Sequence, residues 1–413
     1  MSTLTRIGRI LTGLLFIFSG FVKGIDPMGT AFKIGDYLIA FRMGFLEDLA
    51  LPVSIILCLV EFVAGMMLVT GSLVKLSSWM AALFMAVFTP LTLILAIFNP
   101  VSDCGCFGDA IIMTNWQTFF KNVVITLLVV FVFIRRNDNT GVLSVKAGMN
   151  ATLAFIFLFL LFLRYNLAYL PVIDFRPYSV GTNIPEAMSI PADAEPDKYD
   201  IKFIYEKDGV QKEFTLNDYP ANDTTWKFVD QKSVLISHGY IPPIHDFTLV
   251  NEYGADMTDQ VTAYPGYSML MVARRLEDAD RDGLIMGYDL GLALQQQGVN
   301  FIIITATSPG ETGEMLTGFD AFFADEITLK TVVRSNPGFV LLHNGTIMAK
   351  WSYHNLPAKE KFTGDPDTIA LKTLTAKNAR MVVLMVILTV IVAVLATMPL
   401  WTKKSNGNQV KQL

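Results

Sequence analysis

Two cysteines separated by a single glycine form the run Asp103-Cys104-Gly105-Cys106-Phe107-Gly108-Asp109, and a third, Cys58, lies upstream. Neighbouring thiols can share a disulfide, hold a soft metal or pass electrons to a partner. A disulfide needs Cα atoms about 4.4–6.8 Å apart. Residues i and i+2 exceed that range when extended and enter it in a turn, which Gly105 permits. The resulting small ring would be strained, and strain raises the reduction potential, so the bond would suit exchange better than stapling. A structural pair or two idle thiols is the plain alternative. A zinc site takes about four ligands. The histidines, His238, His245, His343 and His354, are remote in the chain, so no metal is expected.

The elements that must position these thiols are apolar. The 413 residues are 52% hydrophobic, with a mean hydropathy of +0.45, too apolar for an ordinary soluble enzyme. A membrane helix needs about 20 apolar residues. Six blocks qualify: 5–24, 52–71, 76–98, 117–134, 147–170 and 380–400. The first follows Arg6 and Arg9 as a signal peptide would, yet Phe21-Val22-Lys23-Gly24 offers no small-residue cleavage site. It is read as a membrane helix.

Positive residues mark cytoplasmic flanks. Arg6 and Arg9, then Lys75, then Arg135, Arg136 and Lys146, then Lys403, Lys404 and Lys411 all fall on one side if six helices alternate. Both termini are therefore expected inside, in a bacterial inner membrane. The cysteine loop and residues 171–378 are expected in the periplasm, an oxidising compartment where disulfides persist. Residues 171–378 hold 17 Lys and Arg against 29 Asp and Glu, a charge of −12 within a chain of net −5. An acidic domain is a poor partner for nucleic acid.

Cys58 falls about 9 Å down the second helix, at 1.5 Å per residue from Pro52. Glu61, three residues on, shares its face. A carboxylate at that depth is expensive and marks function by default. It could pair with Lys23 or relay protons released when thiols oxidise. Cys58 is either a small packing residue or a third thiol that resolves or gates the pair.

In the soluble part, Tyr199–Glu206, the turn Asp208-Gly209 and Val210–Leu216 read as a hairpin. Strands are expected at Asp246–Val250, Tyr267–Ala273, Val299–Thr305, Phe339–Leu342 and Thr346–Trp351, with a helix over 282–297. Strand and helix alternating, then a closing hairpin, argue for an α/β domain. With Pro243–Val250 as entry strand and Asn336-Pro337-Gly338-Phe339-Val340 before the hairpin, this half resembles the thioredoxin-like fold over roughly 130 residues. The resemblance implies a cis bond at Pro337, facing a client or partner. It also places Cys-x-x-Cys after Met269–Ala273, where this chain has Arg274-Arg275-Leu276-Glu277-Asp278-Ala279-Asp280-Arg281-Asp282. The domain has no thiols of its own there, and the charged run is expected to be a solvated strand–helix loop.

Phe18-Ser19-Gly20-Phe21-Val22-Lys23 with Asp26-Pro27, Glu61 with Gly65 and Gly71, and the Cys104-Gly105-Cys106-Phe107-Gly108 loop resemble the DoxX family, in its MauE branch, over residues 5–134. The resemblance implies a four-helix membrane bundle linked to redox, disulfide or electron-transfer chemistry. The expected organisation is a four-helix unit over 1–136, a fifth span over 137–170, and a β-rich segment over 171–238. The thioredoxin-like domain would cover 239–376, with a last span and cytoplasmic tail over 377–413. Cys104 and Cys106 would cycle between dithiol and disulfide, with Cys58 and Glu61 beneath them. Electrons would pass to a membrane carrier such as a quinone, and a periplasmic thiol protein would be the client. That would make the chain a thiol–disulfide oxidoreductase. The rival reading is a non-enzymatic, membrane-anchored assembly factor for a periplasmic complex.

Overall fold

The computed structural model describes residues 3–101, 105–137, 145–216, 218–220, 223–237, 239–312, 318–363 and 366–373. The span expected at 380–400 and Cys104 lie outside them. Among the described residues five helical stretches are long and apolar enough to cross a membrane: Thr3–Ile25, Gly44–Thr70, Val74–Phe98, Asn115–Ile134 and Val145–Ala168. The chain is a multi-pass membrane protein with an appended sheet-rich α/β domain.

The helices are α1 (Thr3–Ile25), α2 (Pro27–Ala40), α3 (Ala50–Thr70), α4 (Val74–Phe98), α5 (Asn115–Ile134) and α6 (Val145–Ala168). Between membrane helices the hydrophobic effect gives no pull, so association rests on close packing of small residues. Helices α1 and α3 meet in this way. A Cβ on Gly20 would stand 2.6 Å from the Phe62 backbone nitrogen, and one on Gly65 would stand 2.6 Å from that of Ile17. The buried stripe of α1, spaced three or four residues apart, is Thr5, Arg9, Thr12, Phe16, Ser19 and Lys23. That largely polar stripe turns into the bundle, while Leu4, Ile7, Leu11, Leu14 and Phe18 are exposed on the outer side, as suits a helix in lipid.

Helix α2 was not anticipated in the 25–51 segment. Its start follows from local chemistry: Asp26 caps it by accepting from Gly29 N at 2.9 Å, and Pro27 occupies the first turn. Ser54 Oγ donates to Pro27 O at 2.7 Å and ties α2 to α3.

After α6 the chain enters the α/β domain. Short helices α7 (Ile184–Met188) and α8 (Thr258–Thr262) flank a three-stranded antiparallel sheet of β1 (Lys198–Lys207), β2 (Val210–Thr215) and β3 (Lys227–Ser237), in the order β2-β1-β3. The hairpin at Asp208-Gly209 forms as the residues suggested. Asp246–Val250 makes only isolated bridges at Val250, to Asp256 and Phe323, rather than the strand expected there.

The main sheet holds β4 (Tyr267–Ala273), β5 (Asn300–Thr305), β6 (Asp320–Phe323), β7 (Gly338–His343) and β8 (Thr346–Ser352) in the order β6-β5-β4-β7-β8. The first three run parallel, and β7 and β8 are antiparallel additions. Helices α9 (Arg281–Gln295) and α10 (Glu326–Val332) complete the domain. Side chains alternate between two cores. Leu270, Val272, Ile302, Ile304 and Val340 fill one, while Met269, Met271, Phe301, Ile303 and Phe339 fill the other. Burial on both faces explains why these strands read as unbroken apolar runs. The Asn336–Pro337 peptide bond is cis, as the resemblance implied.

Residues 172–184, grouped above with the β-rich segment, pack against β8 instead. Tyr178 and Ile184 enter the first core, and Gly181 N donates to Ile347 O at 2.8 Å. A buried charge cluster holds this strap. Lys350 Nζ donates to Asp174 at 2.9 Å and to Tyr178 O at 3.0 Å. Arg176 grips the same carboxylate through Nε at 2.7 Å and Nη2 at 3.0 Å. Burial opposes the Asp174 charge, but Lys350 and Arg176 outweigh it and hold the carboxyl far below its usual range. Burial and then Arg176 push the Lys350 amine down to about 7, against the pull of Asp174.

Removing one member of such a cluster leaves buried charge uncompensated. Asp174→Asn is expected to cost about 3–5 kcal/mol of domain stability. Because the folded carboxyl sits below its unfolded value of about 4, this stabilisation is full above that pH and is lost as pH falls through and below it. Thermal unfolding of wild type and variant in detergent from pH 7 to pH 3 checks both statements: the gap between the two should begin to narrow below about pH 4.

Candidate functional site

The loop between α4 and α5 is pinned at both ends by its own sequence. Asn115 Nδ2 donates to Asn99 Oδ1 and to Val101 O, both at 2.8 Å. Thr114 and Gln117 form a reciprocal capping box that starts α5. Between them Gly105 takes φ +60°, a left-handed conformation open to glycine and costly for most other residues. Gly108 N then donates to Gly105 O at 2.9 Å and closes a turn around Cys106.

This turn sits in the mouth of the bundle. Ser19 Oγ donates to Cys106 O at 3.1 Å. The buried Phe107 ring meets Phe18 edge-on at 5.4 Å, and Lys121 Nζ stands 4.1 Å above it. Cys106 is half-buried and lines a narrow cleft of about 30 Å³ with Ser19, Lys23, Glu61, Phe88 and Asn122. Lys23 and Glu61 form a buried ion pair across that cleft, their side chains 8% and 5% exposed. Pairing with Lys23 is one of the two roles left open for Glu61 by the residues alone.

Cys58 carries a free thiol, fully buried one turn before Glu61. It does not line the cleft with Cys106. It packs instead against Phe159 and Leu163 of α6. Lys23 lines the cleft beside Cys106, where it pairs with Glu61. Cys104 falls outside the described residues.

The far end of the loop reaches the α/β domain. Asp109 accepts from Arg334 Nη2 at 3.1 Å, and Arg334 Nε donates to Asp26 at 2.7 Å. Sequence reasoning missed Arg334, Asp26 and Asp109 as a group, because nothing in a linear pattern pairs residues 225 or more positions apart. The charged run after β4 is only partly solvated. Leu276 is buried, and Arg274 lies over the Phe32 ring of α2 at 5.1 Å. Pro337 is buried, with its Cδ 3.0 Å from where a Cβ on Gly283 of α9 would sit. It is covered by its own domain on that side.

Residues 1–135 match the family Methylamine utilisation protein MauE, and residues 199–238 match a Domain of unknown function (DUF8463). Over 156 residues the chain is 29% identical to Protein TlpB of Flavobacterium psychrophilum, covering 36% of this chain and 42% of that protein. The chain thus spans less than half the length of that curated relative. No solved structure matches the chain significantly. Fold and comparison together define a membrane protein with a MauE-like helical region carrying a separate α/β domain.

The Lys23–Glu61 pair gives a direct test of the site's construction. Lys23→Met or Glu61→Gln alone is expected to cost about 3–5 kcal/mol by stranding the other charge. Lys23→Met combined with Glu61→Leu is expected to regain most of that loss. Melting temperatures of the three variants in one detergent decide it: a loss in the double variant as large as the two single losses added together would mean the two groups do not act as a pair.

Proposed function

We propose that this chain is an integral membrane, redox-associated protein that supports thiol–disulfide or electron transfer through Cys104 and Cys106. One observation carries the reading: Cys106 opens onto a buried cleft that also holds the Lys23–Glu61 ion pair. An ammonium group beside a thiol favours the thiolate, which is the reactive form. The adjacent carboxylate gives the released proton a local acceptor. The likeness of residues 1–135 to MauE supports the same reading.

The loop and the α/β domain are assigned to the periplasmic side of a bacterial inner membrane, with both termini inside. In the oxidative direction Cys104 and Cys106 form one disulfide and release two electrons and two protons. A quinone taking up both becomes a quinol, which balances the step. The apolar side of the cleft, Leu15, Phe84, Phe88 and Ile125, suits an acceptor that arrives through lipid. The order β6-β5-β4-β7-β8 supports reading the α/β domain as thioredoxin-like. Lacking thiols after β4, it serves to bind a client or a thiol partner.

A second reading is favoured by that same lack of thiols and by the packing of Arg274 on Phe32. On it the domain is a platform and the chain an assembly factor. Trapping with an alkylating reagent in living cells separates the two. The redox reading expects a mixed population of reduced and oxidised loop thiols that shifts when respiration is blocked. A single unchanging state, with phenotype and partners kept in a Cys104→Ser/Cys106→Ser variant, would leave only the platform.

A further inference from the structure

The α/β domain contributes no thiol to the site, yet it reaches into the loop that carries them. One such contact is a guanidinium. Arg334 follows α10 and has a side chain only 9% exposed. Its Nε goes to Asp26, its Nη2 to Asp109 and its Nη1 to the Lys330 carbonyl. Its plane lies 5.3 Å from the Phe32 ring centroid on α2. Arginine suits this role because its rigid fork serves two carboxylates at once, which a lysine cannot do. A side chain at position 29 would collide, since a Cβ there would come within 2.8 Å of Nη2.

The two carboxylates belong to different parts of the membrane region. Asp26 caps α2. Asp109 lies three residues after Cys106, in the short 3-10 turn Gly108–Ala110. Inside that segment Gly108 N bonds to Gly105 O, and Ala110 N bonds to Phe107 O at 3.3 Å. These two bonds tie the stretch from Gly105 to Ala110 together. It has a hydrogen bond from Ser19 at its Cys106 end and the Arg334 fork at its Asp109 end. Burial at this boundary raises the Asp109 carboxyl, and Asp26 adds to it, against the pull of Arg334. Without the guanidinium, two carboxylates would face each other there with no counter-charge from Arg334.

We propose that Arg334 is a positioning residue for the cysteine loop, the point through which the α/β domain holds Cys106 over the Lys23–Glu61 cleft. The proposal rests on reading this loop as the thiol site. Docking and thiol presentation are thus linked: seating the domain on α2 adds the Arg334 fork to the anchors the loop has within the membrane region. A partner that draws the domain away would remove that anchor and loosen the loop.

The test uses the reduced full-length protein in detergent and follows alkylation of the loop thiols by iodoacetamide against pH, with loss of intact protein by thermal unfolding as control. Arg334→Met and Asp109→Asn are both expected to speed loop alkylation about tenfold, the effect of one charge-assisted hydrogen bond on a local opening equilibrium. Arg334→Lys should fall between them and wild type. The Cys58 rate should stay unchanged in all three. Asp109→Asn keeps the Arg334–Asp26 contact, so it remains decisive if Arg334→Met fails to fold. Loop alkylation within twofold of wild type at every pH in folded Asp109→Asn protein would overturn the proposal. Thiols that never change state in cells would defeat the functional reading above while leaving this positioning measurable.

Discussion

Helices α1 and α3 touch backbone to backbone at Gly20 and Gly65, and the rest of the site depends on that approach. In lipid there is little to drive two apolar helices together beyond the contact they can make. Two glycines at facing positions let the axes come close enough for Lys23 on α1 to meet Glu61 on α3. The same approach turns Ser19 toward the loop, where it holds the Cys106 carbonyl. A wider spacing would leave a lysine and a glutamate buried apart, each carrying an uncompensated desolvation cost.

Buried charge recurs at three levels of this molecule, and each time it joins segments distant in sequence. Within the bundle Lys23 meets Glu61. Within the α/β domain Asp174 is held by Arg176 and Lys350, which fastens the strap after α6 to β8. Between the two regions Arg334 joins Asp26 and Asp109. Such clusters are weak contributors to net stability when complete and costly when broken. Their effect is on arrangement: an incomplete cluster penalises every alternative seating of the domain. The membrane region and the α/β domain are thereby coupled through few contacts of high specificity, next to the loop that carries the thiols.

Much of this was legible from local pattern. The first five apolar blocks marked the five long helices of the described residues within a few residues. The turn at Asp208-Gly209 announced its hairpin, because that sequence tolerates the positive φ the turn requires, and Asn344-Gly345 between β7 and β8 has the same property. Strands β4, β5, β7 and β8 stood out because both faces are buried. Helix α2 was passed over although Asp26-Pro27 is a start signal, since its 14 residues are too few to span a membrane and sat between two stronger blocks. Asp246–Val250 had strand composition without a continuous partner strand, and composition does not reveal partners.

The sequence by itself determined which residues could do chemistry and which segments enter the bilayer, because thiols, carboxylates and apolar runs carry their solvation preference locally. It also paired Glu61 with Lys23 as one of two options, from the cost of a lone carboxylate in lipid. Only the tertiary structure decided that Cys106 opens on the Lys23–Glu61 cleft while Cys58 turns toward α6. Only it brought Arg334 to Asp109. Those outcomes depend on helix rotation and domain seating, which are set by the summed packing of many side chains and leave no mark at any single position.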